Sequence, residues 1–142
     1  MSVAKPFRKP LKQKLNVELK CAKLYSHTLH MLQPGSKIGS KLPKILKSRL
    51  ENSAYEALAC INAANKKDLN DNAERVERRE LQSKAKTHLN NHTTAVTALH
   101  AYRRLPDRKL IYWYDMIEEV DRILDGWIDS DMKRSANKQI SG

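Results

Sequence analysis

Trp113, Ile117, Val120, Leu124 and Trp127 recur at alternating steps of four and three residues. On a helix, such steps stack side chains on one face, so this segment must be an amphipathic helix that buries the stripe against other helices. Met116, Ile123 and Ile128 widen the stripe beyond one seam, which points to contact with another subunit. Tryptophan rings can stack on bases, but the place of both indoles in the seam assigns them to packing. No segment alternates apolar and polar residues long enough to make a strand. The chain is therefore expected to be all-α.

Breaker residues divide the rest. Residues 1–10, with Pro6 and Pro10, read as a flexible basic arm. A first helix is predicted from about Leu11 to Leu32, with Leu15, Leu19, Ala22, Ser26 and Leu29 on its core face, and Gln33-Pro34-Gly35-Ser36 ends it. Ser40 is the expected N-cap of a second helix, with Pro43 in its first turn. The stripe of that helix is Leu46, Leu50, Ala54, Ala57, Ile61 and Ala64, small enough to let a neighbour approach closely. Residues 68–72 read as a turn, and Asp71 with Glu74 forms a capping box for a third helix that runs to about Leu105. Its charge-dense start, Glu74 to Lys86, is expected to be solvated. Its core stripe is Leu81, Ala85, Leu89 (or His88), His92, Val96, Leu99 and Tyr102. Pro106-Asp107 breaks it, and the fourth helix runs from about Lys109 to Arg134, leaving residues 135–142 as a disordered tail. Four long helices with short-to-moderate connections fit an antiparallel up-down-up-down four-helix bundle over residues 11–134.

A length of 142 residues suits one domain with a core that needs neither disulfide nor metal. Cys21 and Cys60 form no CxxC and read as reduced thiols, hence a cytoplasmic protein. No apolar window is long enough to span a membrane, and the basic N-terminus has no apolar core of the kind a signal peptide carries.

Charge is the unusual quantity. The chain carries 27 Lys and Arg against 16 Asp and Glu, a net +11. Residues 1–50 hold twelve of the cations and a single acid, Glu18, so the whole excess lies in the first third. Such asymmetry points to a polyanionic partner. Three clusters stand out: Lys5, Arg8, Lys9, Lys12 and Lys14 in the arm; Lys41, Lys44, Lys47 and Arg49 at the start of the second helix; and Arg103, Arg104, Arg108 and Lys109 at the last turn. In an up-down bundle the second and third clusters share one end. Lys and Arg neutralise phosphates with little sequence discrimination, and such binding weakens with salt. The second and third clusters are the candidate nucleic-acid-binding residues.

Catalytic chemistry finds no foothold. His88 and His92 have a chelating spacing, but no Glu follows His88, so the zinc-protease motif is missing. The Glu-x-x-His pairs of a di-iron bundle are absent, and Glu118, Glu119 and Asp121 fall on the polar side of the fourth helix. There is no P-loop, dinucleotide glycine pattern or nucleophile elbow. The expectation is a protein that binds rather than catalyses, with no cofactor.

The stretch Val120-Asp121-Arg122-Ile123-Leu124-Asp125-Gly126-Trp127-Ile128, followed by Lys133 and Arg134, resembles the C-terminal signature of the accessory variability determinant proteins of diversity-generating retroelements. The run from Leu46 to Ala64 and the helix end from Ala98 to Leu105 are similar too. That family belongs to a wider set of four-helix bundles that includes proteins encoded by 23S rRNA intervening sequences. The resemblance covers roughly residues 11–134 and rests on helical packing patterns. It implies a non-catalytic, positively charged pentameric barrel that binds a reverse transcriptase and RNA or cDNA during mutagenic reverse transcription. The alternative within the wider set is an intervening-sequence protein with a nucleic-acid-related role. The arm before Leu11 and the charged segment from Lys66 to Lys86 are longer than the family pattern.

Overall fold

The structure, a computed structural model, describes the backbone of residues 8–103 and 105–141 and the side chains of residues 16–102 and 105–136. Its helices are α1 (Arg8–Met31), α2 (Lys44–Asn65), α3 (Asn72–Arg103) and α4 (Asp107–Ser141), with one 3-10 turn at Gly39–Lys41. No strand occurs among the described residues, and none of the described helices is long and apolar enough to cross a membrane.

Cross-helix contacts fix the topology. Glu18 in the middle of α1 accepts hydrogen bonds from Asn62 and Asn65 at the end of α2, while Tyr25 further along α1 meets Tyr55 nearer the start of α2. Arg78, Lys86 and His92 in ascending order on α3 meet Asp131, Asp121 and Trp113 in descending order on α4. Lys20 pairs with Glu119, and His27 packs on Trp113, so α1 and α4 are antiparallel as well. Each helix thus packs against two neighbours in an up-down-up-down ring, with α2 and α4 across the diagonal.

Trp113, Ile117, Val120, Leu124 and Trp127 are all buried, as their spacing requires. Leu50, Ala54, Ala57, Ile61 and Ala64 line the inner face of α2, and Ala85, Leu89, His92, Val96 and Leu99 that of α3. Truncating either indole to alanine removes about 3–5 kcal/mol of packing. Met116, Ile123 and Ile128 are half-buried against the bundle's own core, so a second subunit is not needed to explain the wide stripe.

Several boundaries and faces differ from expectation. The core face of α1 is Val17, Cys21, Leu24 and Thr28, continued by Leu32, whereas Leu19 and Leu29 point to solvent. The two stripes have the same spacing; the leucines favour one, but burial selects the face bearing Cys21 and Thr28. Helix α1 begins at Arg8, three residues earlier than predicted. Pro10 lies in its first turn, where a missing N–H costs nothing. Ser40 lies in the 3-10 turn, and Pro43 takes the N-cap position of α2 without a side-chain cap. Ser36 organises that loop instead: its hydroxyl accepts the Gly39 N–H at 2.8 Å and lies 2.9 and 2.7 Å from the Met31 and Gln33 carbonyls. Helix α4 starts at Asp107 and continues to Ser141, through most of the expected tail.

The start of α3 holds a second correction. Asp71 caps it, accepting the N–H groups of Ala73 and Glu74 at 2.9 and 3.1 Å, while Glu74 reaches back to Asp68 rather than to Asp71. The segment is not solvated throughout: Arg78 is 2 % exposed and Gln82 is fully buried. Both bond the Asp131 carboxylate, and the Arg78 guanidinium lies 4.9 Å from the Trp127 ring. A charge enters the core here because Asp131 and an aromatic face meet it there.

Candidate nucleic-acid interface

The end of the bundle where α1 and α3 finish and α2 and α4 begin carries the cations singled out in the sequence. Lys41 lies in the 3-10 turn and Lys44 opens α2; both are exposed, as is Arg49, while Lys47 is half-buried. Arg108 and Lys109 are the second and third residues of α4 and are exposed. The antiparallel ring brings these six to one end, on diagonally opposed helices with the end of α3 between. The side chain of Arg103, all of Arg104 and the side chains of the first cluster, Lys5 to Lys14, lie outside the described residues.

Placement at helix starts matters energetically. A helix N-terminus carries partial positive charge and favours carboxylates, so Lys44 and Lys47 work against the dipole of α2, whose first turn holds no acid. Stability does not favour this arrangement; binding an anion does, because backbone N–H groups and ammonium groups then face the same charge. The acids nearby are few. Asp107 opens α4, where it meets His100 at 3.1 Å, and Glu51 is half-buried on α2.

Beneath this end, α2 and α3 border an open groove of about 630 Å³. The contact of Ser53 with His92 sets the register of the two helices. Descending the groove, Ile45, Leu46 and Ala98 come first, then Arg49 with Thr94 and Ala95, then Asn52 and Asn91, then Glu56 and His88. Asn52, Glu56, Asn91 and Thr94 are exposed, and His88 is half-buried. Tyr102, expected in the core, is 57 % exposed. It stands one helical turn beyond Ala98, the last groove residue on α3. The core side of α3 at that level is taken by Leu99.

The groove floor rests on a polar layer that joins all four helices. His92 Nε2 accepts the Trp113 indole N–H at 3.2 Å and lies 3.2 Å from the Thr28 hydroxyl. Tryptophan has only a donor to give, so the imidazole proton sits on Nδ1, which donates to Ser53 Oγ at 2.8 Å. Ser53 in turn donates to the Arg49 carbonyl at 2.7 Å, and Thr28 to the Leu24 carbonyl at 3.0 Å. Burial pushes the His92 pKa down to about 4, against the opposing pull of the Leu50 backbone and aided by His27. Burial, then His30, also lowers the pKa of His27.

His88 and His92 do not converge, because His88 lines the groove while both ring nitrogens of His92 are engaged in the core. No group of three His, Cys, Asp or Glu side chains suited to a metal occurs among the described residues. Glu119 and Asp121 are drawn into ion pairs with Lys20 and Lys86, and Lys86 also reaches Asp125. The groove amides and Tyr102 escaped the sequence reading, since isolated Asn residues carry no periodic signal and Tyr102 continues an apolar spacing.

Compared with known protein families, curated proteins and solved structures, the chain shows no match to any.

Proposed function

We propose that the chain is a nucleic-acid-binding four-helix bundle that acts by holding an RNA rather than by chemistry. One observation carries the reading: Lys41, Lys44, Lys47, Arg49, Arg108 and Lys109 gather at a single end of the bundle, and Lys44, Lys47, Arg108 and Lys109 among them lie in first helical turns, where the helix dipole disfavours a cation. Each lysine or arginine that meets a phosphate releases a counterion, so affinity falls with salt in proportion to the contacts made. In its finer form the reading is that of an accessory protein to a retroelement reverse transcriptase, assembled as a homo-pentameric ring; the resemblance of the stretch Val120 to Ile128 supports this form.

The test of the basic end is RNA affinity, measured by fluorescence anisotropy across a salt series, for wild type and for Lys41→Glu/Lys44→Glu/Arg108→Glu/Lys109→Glu. Wild type is expected to bind with a steep salt dependence, and the variant to bind at least about tenfold more weakly with a shallower slope. Equal affinity and slope would remove this end as the interface. The finer form predicts that a tagged chain recovers a reverse transcriptase with a structured template RNA from its host, and that light scattering returns the mass of a ring; recovery of ribosomal RNA alone would favour the intervening-sequence reading.

A further inference from the structure

We propose that the pocket between the start of α3 and the end of α4 is a binding site for a nucleoside monophosphate. It lies at the end of the bundle opposite the candidate nucleic-acid interface. Arg75 and His100 on α3 stand about 40 Å apart along the helix axis, so the inference is independent of the RNA reading. The pocket has a volume of about 410 Å³, in the range of small-molecule sites. Its walls include Leu69, Val76, Met132 and Ala136, of which Val76 and Met132 are 58 % and 48 % exposed. A smaller pocket of about 100 Å³ adjoins it, and the two share Leu69, Arg75 and Ser135. Asn70 and Arg134 complete the smaller one.

The smaller pocket has the chemistry of an anion site. Two guanidinium groups border it, and each presents a fork of N–H donors that matches a phosphate. Both keep donors to spare: Arg75 donates to Asn72 at 2.7 Å, and Arg134 reaches Asp131, already held by Arg78 and Gln82, at 3.3 Å. The acids of the adjoining turn are engaged elsewhere. Asp68 accepts the Asn70 N–H, Asp71 caps α3, and Glu74 accepts the Asp68 N–H.

The larger pocket runs inward to Gln82, seven residues and about 10 Å along α3 from Arg75. Gln82 is fully buried; its Nε2 donates to Asp131 at 2.9 Å, and its Oε1 has no hydrogen-bond partner among the described residues. An interior acceptor left unpaired is costly, and this one belongs to a residue at the deep end of a pocket. The unbranched Met132 is the wall side chain whose rotamer change uncovers it. Glu80, on the same pocket and about 7.5 Å along α3 from Arg75, offers a second acceptor away from the anion end. A ligand that uses the whole arrangement has an anion at one end, a flat apolar ring in the middle and an N–H donor at the other. Phosphate alone leaves the apolar walls uncovered, and an apolar acid without a ring N–H leaves Gln82 unpaired. A nucleoside monophosphate whose base carries an amino group meets all three.

The experiment is calorimetric titration of the full chain with adenosine monophosphate, adenosine and inorganic phosphate. The monophosphate should bind at least about tenfold more tightly than either part. Arg75→Gln/Arg134→Gln should weaken the monophosphate at least about tenfold and leave adenosine unchanged. Val76→Trp, a substitution at an exposed wall position that fills the pocket, should weaken both. Circular dichroism melts check that each variant folds as wild type does. The charge reversal at the basic end should leave monophosphate binding as it is. No binding of the monophosphate at about 1 mM, or binding no tighter than that of phosphate, overturns the site. So does binding that the basic-end reversal removes and Arg75→Gln/Arg134→Gln does not, since the ligand would then sit at the other end. None of these outcomes bears on the RNA affinity of the basic end, so the two readings stand or fall separately.

Discussion

Arg78 and Asp131 meet across α3 and α4 in two hydrogen bonds, Nε to Oδ2 at 2.6 Å and Nη2 to Oδ1 at 2.8 Å, with the two side chains only 2 % and 8 % exposed. Gln82 and Arg134 complete the shell around the carboxylate at 2.9 and 3.3 Å. A buried pair of this kind is costly to break from one side, since the surviving charge stays in the core. Arg78→Met and Asp131→Leu should each lower unfolding free energy by about 3–5 kcal/mol, and the double substitution should regain much of that loss. Urea titrations of the four proteins give the coupling directly; strictly additive losses would mean that the pair is not a unit.

The neutral imidazole of His92 sets a pH dependence. Its folded pKa of about 4 lies below the ordinary histidine value of 6.5. The unfolded chain therefore binds a proton in the interval between them that the folded chain refuses. Stability is complete above about pH 6.5 and falls as pH drops toward 4, by about 3 kcal/mol for His92. His27 shifts in the same direction and adds to the slope. His92→Gln should be less stable at pH 7.5 and lose less on acidification; thermal melts between pH 4 and 7.5 decide it, and an unchanged slope would show that other groups dominate.

Two glycines should respond in opposite ways to alanine. A Cβ on Gly39 would strike the Gln33 carbonyl oxygen and come within 2.6 Å of the Leu32 backbone, where no flexible side chain can yield. Gly39→Ala should cost about 1–3 kcal/mol. A Cβ on Gly126, in the middle of α4, meets nothing within 4 Å, and Gly126→Ala should add up to about 1 kcal/mol through helix propensity. Melting temperatures of the two variants, one below wild type and one above, are the check.

Neither thiol should react in the folded protein. Burial, with Glu18 and Cys60 nearby, pushes the Cys21 thiol up to about 12, and burial also raises that of Cys60. The thiolate is the reactive form. A thiol-reactive dye at pH 8 should label both residues only after urea unfolds the chain, and rapid labelling of the native protein would contradict the burial of both.

The sequence made α4 legible because large apolar residues mark its seam without competition. On α1 two faces have equal spacing, and Leu19 and Leu29 advertise the solvent-facing one. What separates them is the partner surface, which no local pattern contains. Arg78 was hidden for a related reason: its counter-charge, Asp131, lies 53 residues away, so a buried pair reads as part of a solvated run. The cations at the candidate interface were legible individually, and the antiparallel order of helices was enough to gather them. The groove was not, since Asn52 and Asn91 become neighbours only through the α2–α3 register that Ser53 and His92 establish.

That register has a further consequence for how the chain acquires its shape. Helices α2 and α3 are joined by a short turn, meet more extensively than any other pair, and are lined on the α2 side by Ala54, Ala57 and Ala64. They form a hairpin whose contacts are near in sequence and quick to find. Helix α1 docks against one side of it, but the ring closes only when α4, the last of these four helices to be synthesised, supplies both indoles. Until then His92 Nε2 lacks the indole N–H of Trp113, and the guanidinium of Arg78 lacks the carboxylate of Asp131. A nascent chain stopped before Asp107 would thus present an open apolar trough, and synthesis through Asp131 is the step that commits it to the bundle.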